Sequence, residues 1–554
     1  MNHETKTWWK EAVFYQIYPR SFKDSNGDGI GDLVGVIEKL DHLKELGIGA
    51  VWLSPMYRSP MIDHGYDISD YEDIDPIFGT MSDFQSLLEG LHQRDIKLMI
   101  DLVINHTSDQ HPWFVESRAS RDNPKRDWYI WKDGKDGKEP NNWGSNFGGS
   151  AWSFDELTGQ YYLHLFAKEQ PDLNWRNPEV KEAIFAMVKR WVERGVDGFR
   201  VDVGHHYLKH PNYPDASRET DNPHSLYVYP GQLAAHQPGL LEIYQELRET
   251  VLGPETVLFG EMYDYSAKEA LQYVRYDQPG FNMVYQFPIV HARGDWTKVK
   301  SSIREWYETF AEKGWNSTTF SNHDSARPVS VFGDDSNHHE HSAKLIAAFL
   351  LTAPGSPFLL QGEEIGMTNV RHPSIEDYQD AEMLGRFTER VGLGEDPEHV
   401  LGELIRWSRD NARTPVQWND TEHAGFSSAQ PWLKINPNYT TINIAAQTDD
   451  QNSVLNFYRT LIALRKQNPA LIYGTYEPLT ADDAELYAYT RKYEDSVALM
   501  LLNTSSNTRM VDQKLVDTLG QLFEELPAPH LTNYPDIMSC ADDMRPWEMR
   551  LFIS

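Results

Sequence analysis

Cysteine is almost absent from this chain: its 554 residues contain one, Cys540. A single thiol excludes an intrachain disulfide and any cysteine-ligated metal cluster, and is compatible with a reducing compartment. Long apolar runs are missing too. No stretch approaches the ~18 consecutive apolar residues of a membrane span. The opening MNHETKTWWKEAVFYQ lacks the apolar core of a secretory signal. Positive charge is scarce, with 51 Lys and Arg against 83 Asp and Glu, a formal net charge of −32. Such an excess repels phosphate backbones and anionic lipid, so neither nucleic acid nor membrane is expected as a partner. These absences predict a soluble cytoplasmic protein, monomer or homodimer, with no organic cofactor.

What the chain does contain is a rhythm. Short, nearly continuous apolar runs occur at 13–18, 50–53, 97–103, 198–203, 257–261, 283–287, 318–324 and 357–364, several ending in polar or charged residues. Runs of that kind suit parallel strands buried on both faces. Helical patterns lie between many of them. Leu33, Ile37, Leu40, Leu43 and Leu46 recur at helical spacing before Gly47, and Ala183, Met187, Val188 and Trp191 do so before Gly195. Strand and helix alternating eight times predict an α/β fold, a (β/α)8 TIM barrel. A doubly wound open sheet is the structural competitor, but gives little reason for acidic residues after so many strands. The barrel is expected over 1–103 and 176–477, interrupted after strand three by an inserted subdomain, 104–175, rich in Asn, Asp, Gly and Trp. From 478 to 554 short alternating segments predict a C-terminal antiparallel β domain.

The active face of such a barrel lies at the C-terminal ends of its strands. Those ends carry Asp101, Asn105, His106, Arg200, Asp202, Glu261, His323, Asp324, Glu363 and Glu364. Carboxylates crowded into one cleft cannot all ionise freely, so at least one is expected to hold a proton, as a general acid beside a carboxylate nucleophile must. Strand alternation puts Arg200 and Asp202 on one side of strand four, where the guanidinium can keep the carboxylate ionised or simply form a structural ion pair.

In this setting seven segments resemble glycoside hydrolase family 13, the α-amylase family, and within it the oligo-1,6-glucosidase and α-glucosidase group. They are GYDISDY (65–71), DLVINH (101–106), QPDLN (170–174), GFRVD (198–202), FGE (259–261), SNHD (321–324) and ARTPVQW (412–418), in the family's order over nearly the whole chain. The resemblance implies roles. Asp202 attacks the anomeric carbon, Glu261 is acid and base, and Asp324 binds hydroxyls of the distorted ring. His106 and His323 hydrogen-bond the same glucose. Asp63 and Arg413 form a pair that closes the pocket beyond the terminal glucose, and Tyr66 stacks on that sugar. Phe147, Phe166 and Gln170 line the site from the insertion, and Arg200 orients the nucleophile. Val203, directly after the nucleophile, resembles the residue of α-1,6-selective members. The expected activity is therefore an exo-acting, retaining α-glucosidase on short oligosaccharides, favouring α-1,6 bonds. An α-1,4-glucosidase and a sucrose-acting isomerase or glucosyltransferase remain as alternatives.

One structural cation, Ca2+ or Mg2+, is also expected. Asp24, Asn26, Asp28, the Ile30 carbonyl and Asp32 fall at loop positions 1, 3, 5, 7 and 9 with Gly29 at the turn, although position 12 is Gly35 and not the Glu of an EF-hand. This too resembles the family's metal loop; an Asx-rich turn without metal is the competing reading. The chain departs from the group after Val203, where it reads Gly204-His205-His206. It departs again in Ser325-Ala326-Arg327 and in the connector 209–231, all expected near the leaving-group side.

Overall fold

The computed structural model describes residues 6–217, 227–263, 265–480, 483–523, 528–537 and 542–554. Cys540 and part of the 209–231 connector lie outside the described residues. Eight parallel strands form the central sheet: β1 (Phe14–Ile17), β2 (Ala50–Leu53), β3 (Lys97–Leu102), β4 (Gly198–Val201), β5 (Val257–Gly260), β6 (Met283–Val284), β7 (Ser317–Thr318) and β8 (Ser356–Leu360). Their order, β6-β5-β4-β3-β2-β1-β8-β7, is that of a barrel opened between β6 and β7. There the Ser317 hydroxyl donates to the Val284 carbonyl at 2.8 Å and closes the ring. The fold is thus a (β/α)8 barrel.

The barrel interior explains where the chemistry sits. Phe14, Met99, Val257, Phe259 and Phe358 form an apolar plug, with the Phe358 ring stacked on Phe14 at 4.3 Å and on Phe259 at 4.2 Å. Strand alternation returns every second side chain to the interior. Two residues beyond Phe14 and Met99 the inward positions are therefore Gln16 and Asp101, and in β4 Arg200 comes two residues after Gly198. Apolar packing gives way to polar side chains within one step of the pleat.

The expected strand at 318–324 is in fact the two-residue β7, and 283–287 shrinks to β6, succeeded at once by the helix Phe287–Val290. Strand eight ends at Leu360, and Glu363–Ile365 form a 3-10 turn. The 33–46 pattern forms two helices, Leu33–Glu38 and Leu40–Leu46, broken at Lys39 and stopped by Gly47 at φ 91°. The second pattern forms Pro178–Glu193, capped by Asn177. A three-stranded antiparallel sheet, Trp131–Lys132, Gln160–Leu163 and Trp152–Asp155, lies within 104–175. Beyond the barrel, Thr475–Pro478, Leu486–Tyr493, Ser496–Asn503, Met549–Ile553 and Leu531–Thr532 make a five-stranded antiparallel C-terminal sheet. Helix His339–Thr352, buried all along its last eleven residues, packs Phe349 against Tyr487 and Tyr489 of that sheet. Among the described residues no helix is long and apolar enough to cross a membrane.

Candidate active site

A cavity of about 960 Å³ opens at the C-terminal end of the barrel. Seven carboxylates line it: Asp63, Asp202, Glu261, Asp324, Asp380, Glu382 and Glu403. Its floor is organised by one cation. Arg200, fully buried, places Nη1 2.6 Å from Asp101 and 2.7 Å from Asp202, and Nη2 2.7 Å from Glu261. A planar guanidinium is suited to this because its fork fixes the angle between two acceptors as well as their distance. Burial pushes Asp202 well above the usual carboxylate range; Arg200 pulls it back and the charges of Glu261, Asp101 and Asp324 push it further up. Burial likewise pushes Asp101 up to about 6 against the pull of Arg200. Asp101 and Asp202 therefore hold a proton more tightly than isolated carboxylates do.

The backbone is bent to the same end. Val203 has φ 35°, an uncommon conformation for a β-branched residue. In this turn its N–H donates to Glu261 Oε2 at 3.0 Å, and the Gly204 N–H donates to the Glu261 carbonyl at 2.9 Å. The strained turn thus lashes the residues after Asp202 to Glu261.

The two histidines are neutral. Burial pushes both His106 and His323 down to about 4. Gln16 Nε2 donates to His323 Nδ1 at 2.8 Å, so the proton sits on Nε2, which donates to Asp324 Oδ2 at 3.0 Å. Tyr66 and Tyr18 stack on the His323 ring at 5.1 and 5.8 Å. His106 lies within 3.1 Å of the Tyr66 carbonyl and 3.2 Å of Gln170 Nε2. Phe166 packs on His106 at 5.3 Å and on Phe147 at 5.7 Å. Phe147, Phe166, Tyr66, Val203 and both histidines line the cavity, while Gln170, Arg200 and Arg413 stand just behind its wall.

The expected Asp63–Arg413 pair is not made. Arg413 Nη2 lies 2.6 Å from Asp324, and its Nε donates to the His323 carbonyl at 2.9 Å. Asp63 faces Arg409 instead, at 3.6 Å, and accepts from Gln170 at 3.2 Å. Arg409 is held by Asp380 at 2.7 Å and lies over the Phe147 ring at 5.1 Å. The reason is position: Arg413 sits on the short helix Asp410–Arg413, whose carbonyls at Asn411 and Ala412 are tied down by Arg327, so its guanidinium reaches Asp324. Burial opposes the Asp324 charge, but His323, Arg413 and Arg409 outweigh it and hold its carboxyl well below the usual range. Burial pushes Asp63 up to about 6, with Arg409 and Arg413 opposing.

Other expected carboxylates leave the site. Glu364 accepts from Tyr15 at 2.8 Å and Gly362 N at 2.8 Å, and Glu363 accepts from Ser321 and Leu360 N; both brace the end of β8. Asn105 accepts from Lys209 at 2.8 Å, and Lys209 pairs with Asp172 at 2.6 Å. Arg409, Asp380 and Gln16 carry no signal that sequence reasoning picks up. Arg409 lies just ahead of the ARTPVQW segment, and only its neighbourhood to that motif could have drawn attention to it.

In the 24–32 loop Asp24 accepts from the backbone N–H of Asn26, Gly27 and Gly29 at 2.7–3.0 Å and from Ser427 Oγ at 2.5 Å. Asp32 accepts from Ser25 and Gly35 and caps Leu33–Glu38. Asn26 and Asp28 each accept from the N–H two residues on. Among the described residues no three His, Cys, Asp or Glu side chains gather as a metal-holding group. The carboxylates of Asp24 and Asp32 are aimed at backbone N–H groups, so a cation here needs the Asn26 amide and Ile30 carbonyl oxygens as well.

A parallel barrel that gathers paired carboxylates at its C-terminal mouth fits the two-carboxylate chemistry of a glycoside-acting enzyme. The chain belongs to the α-amylase family: the family described as Alpha amylase, catalytic domain, matches residues 16–474. Within it the chain falls in the oligo-1,6-glucosidase and α-glucosidase group. It is 47% identical over 563 residues to the Oligo-1,6-glucosidase of Parageobacillus thermoglucosidasius, with 99% of each chain covered. It is 42% identical to the Alpha-glucosidase of Pediococcus pentosaceus, with 98% of each covered. Among solved structures it is similar to the trehalulose synthase MutB from Pseudomonas mesoacidophila MX-45, at 40% identity and TM-score 0.92, covering 99% of this chain and 100% of that one. An isomaltulose synthase from Erwinia rhapontici NX5 matches at 40% identity and TM-score 0.93, with 99% of each covered. The protein is a glycosidase or isomerase acting on α-glucosides.

Proposed function

We propose that the enzyme removes the terminal glucosyl unit of a small α-glucoside by double displacement. The carrying observation is the single Arg200 guanidinium that bridges Asp202 and Glu261 beneath one cavity. On this reading Glu261 enters as the general acid and Asp202 as the carboxylate held by Arg200. Asp202 attacks the anomeric carbon as the glycosidic C–O bond breaks, and Glu261 gives its proton to the leaving oxygen. In the second step the Glu261 carboxylate takes a proton from an incoming hydroxyl, whose oxygen displaces Asp202. Asp324, kept anionic, binds sugar hydroxyls. Asp63 and Arg409, rather than Asp63 and Arg413, close the pocket beyond the terminal glucose.

On the leaving-group side, Tyr263 and Phe287 stand edge to face at 6.0 Å in a cavity large enough to retain a second sugar. That supports delivery of the glucosyl unit to a sugar hydroxyl as well as to water. The similarity to trehalulose and isomaltulose synthases, both solved as mutants with the substrate sucrose, supports the same reading. Hydrolysis of α-1,6 bonds is the second reading, favoured by Val203 on the cavity wall and by the curated relatives. A product-resolved panel of sucrose, maltose, isomaltose and trehalose separates them. Isomerised disaccharide from sucrose supports transfer; glucose alone, with isomaltose the best substrate, supports α-1,6 hydrolysis. If Val203→Ala and Val203→Thr leave the isomaltose-to-maltose ratio of kcat/KM untouched, Val203 does not select the bond.

We also propose a structural Ca2+ or Mg2+ in the 24–32 loop, taken by Asp24, Asn26, Asp28, Asp32 and the Ile30 carbonyl. Its role is to fix the loop and not to take part in the reaction.

A further inference from the structure

We propose that His206 is a positioning residue that turns Tyr263 into an obligate hydrogen-bond acceptor for the leaving sugar. The proposal rests on the double-displacement reading above and concerns the stretch where the chain departs from the group it resembles, Gly204-His205-His206. His206 is buried behind the cavity wall, whereas Tyr263, two residues after Glu261, lines the cavity itself.

The partners decide the tautomer. His206 Nδ1 lies 2.7 Å from the Ala234 carbonyl, which can only accept, so Nδ1 carries the proton. Nε2, 3.0 Å from the Tyr263 hydroxyl, is left as an acceptor, and the phenol must donate to it. Burial pushes His206 down to about 3, which keeps the ring neutral and this acceptor available. The phenol's one proton is therefore spent inside the wall, and its oxygen can only accept from a ligand.

The ring itself has little freedom. His205 packs against it at 4.0 Å and 71°, and Phe287 at 6.0 Å and 87°. His236 Nε2 is 2.9 Å from the Tyr263 carbonyl, and the His236 N–H donates to the His205 carbonyl at 2.9 Å. Three histidines thus fix one phenol on the wall of the cavity that Glu261 also lines. A sugar hydroxyl meeting Tyr263 has to donate, which selects for the orientation of that sugar and hence for the bond presented to Glu261.

The test compares a disaccharide, isomaltose or sucrose, with α-glucosyl fluoride, which has no leaving sugar. Tyr263→Phe and His206→Phe are each expected to lower the disaccharide-to-fluoride ratio of kcat/KM about tenfold, chiefly through the disaccharide KM. The double variant should lose no more than either alone, because the two residues act through one hydrogen bond. In His206→Gln the amide can still donate to Ala234 and accept from Tyr263, and the ratio should recover to within about threefold of wild type. An unchanged ratio in Tyr263→Phe overturns the proposal. So do losses that multiply in the double variant, or a His206→Phe enzyme that loses both substrates in step. A wild-type enzyme inert towards glucosyl fluoride would instead overturn the underlying double-displacement reading.

Discussion

Asp202 and Glu261 owe their usefulness to a residue that touches no solvent. Arg200 faces Asp101, Asp202 and Glu261 within 2.7 Å, and replacing Asp202 by Asn removes the proposed nucleophile while leaving an isosteric hydrogen-bonding group. Asp202→Asn is expected to cut turnover by about 10³-fold or more with the fold intact by circular dichroism. Substantial residual activity would remove Asp202 from the nucleophile's role. Asp63 makes a different prediction. Its folded pKa of about 6 lies above that of an unfolded Asp. The folded protein therefore holds a proton that the unfolded chain has released, and this contribution to stability is lost as pH rises from about 4 to 6. Asp63→Asn abolishes the effect. Relative to wild type, the variant should gain ~2–3 kcal/mol between pH 4 and pH 7 in denaturant unfolding. A pH-independent difference would mean that Asp63 ionises like an exposed carboxylate.

Elements determine which residues can meet. Strands β1 to β5 are legible in the sequence because both faces are buried and the apolar runs are continuous; β6 and β7 are shorter than their apolar runs, which continue past the last ladder pair. Beyond β7 the chain enters a loop, and His323 and Asp324 are aimed by partners far away in sequence, Gln16, Arg413 and Arg409. No periodicity encodes such partners. The Asp63–Arg413 expectation fails for this reason: the motif fixes the residue types, but Arg327 decides where the 410–413 helix points. Its guanidinium donates to the carbonyls of Gln361, Asn411 and Ala412 at 2.6–3.0 Å, joining the end of β8 to that helix. Lysine cannot reach three carbonyls in a fixed plane. Arg327→Lys should therefore raise KM for the terminal glucosyl unit, roughly tenfold for ~1.4 kcal/mol of lost binding, more than it lowers kcat. A variant with unchanged KM would show that Asp324 and the His323 carbonyl hold Arg413 without help from Arg327.

Across the whole molecule, the barrel and the C-terminal sheet are legible from pattern, and the gathering of Asp202, Glu261 and Asp324 at one cavity from motif and strand position together. The 24–32 loop is legible only as spacing, and spacing does not reveal where a carboxylate points. Asp24 ties this loop to Ser427 and closes Asx turns on its own backbone. Leu33–Glu38, capped by Asp32, starts directly after it, so the loop's rigidity bears on how the first barrel helix meets β2. If a cation binds the folded loop and not the unfolded chain, chelation must lower Tm by mass action. EDTA is expected to lower Tm by several degrees, Ca2+ or Mg2+ to restore it, and kcat at 25 °C to stay unchanged, since the loop supplies no group to the cavity. Asp28→Ala should abolish the chelator effect, because the Asp28 carboxylate is exposed and, among the described residues, accepts one N–H, from Ile30. A Tm indifferent to EDTA in the wild type would mean that Asx turns and the Ser427 bond close the loop without a metal.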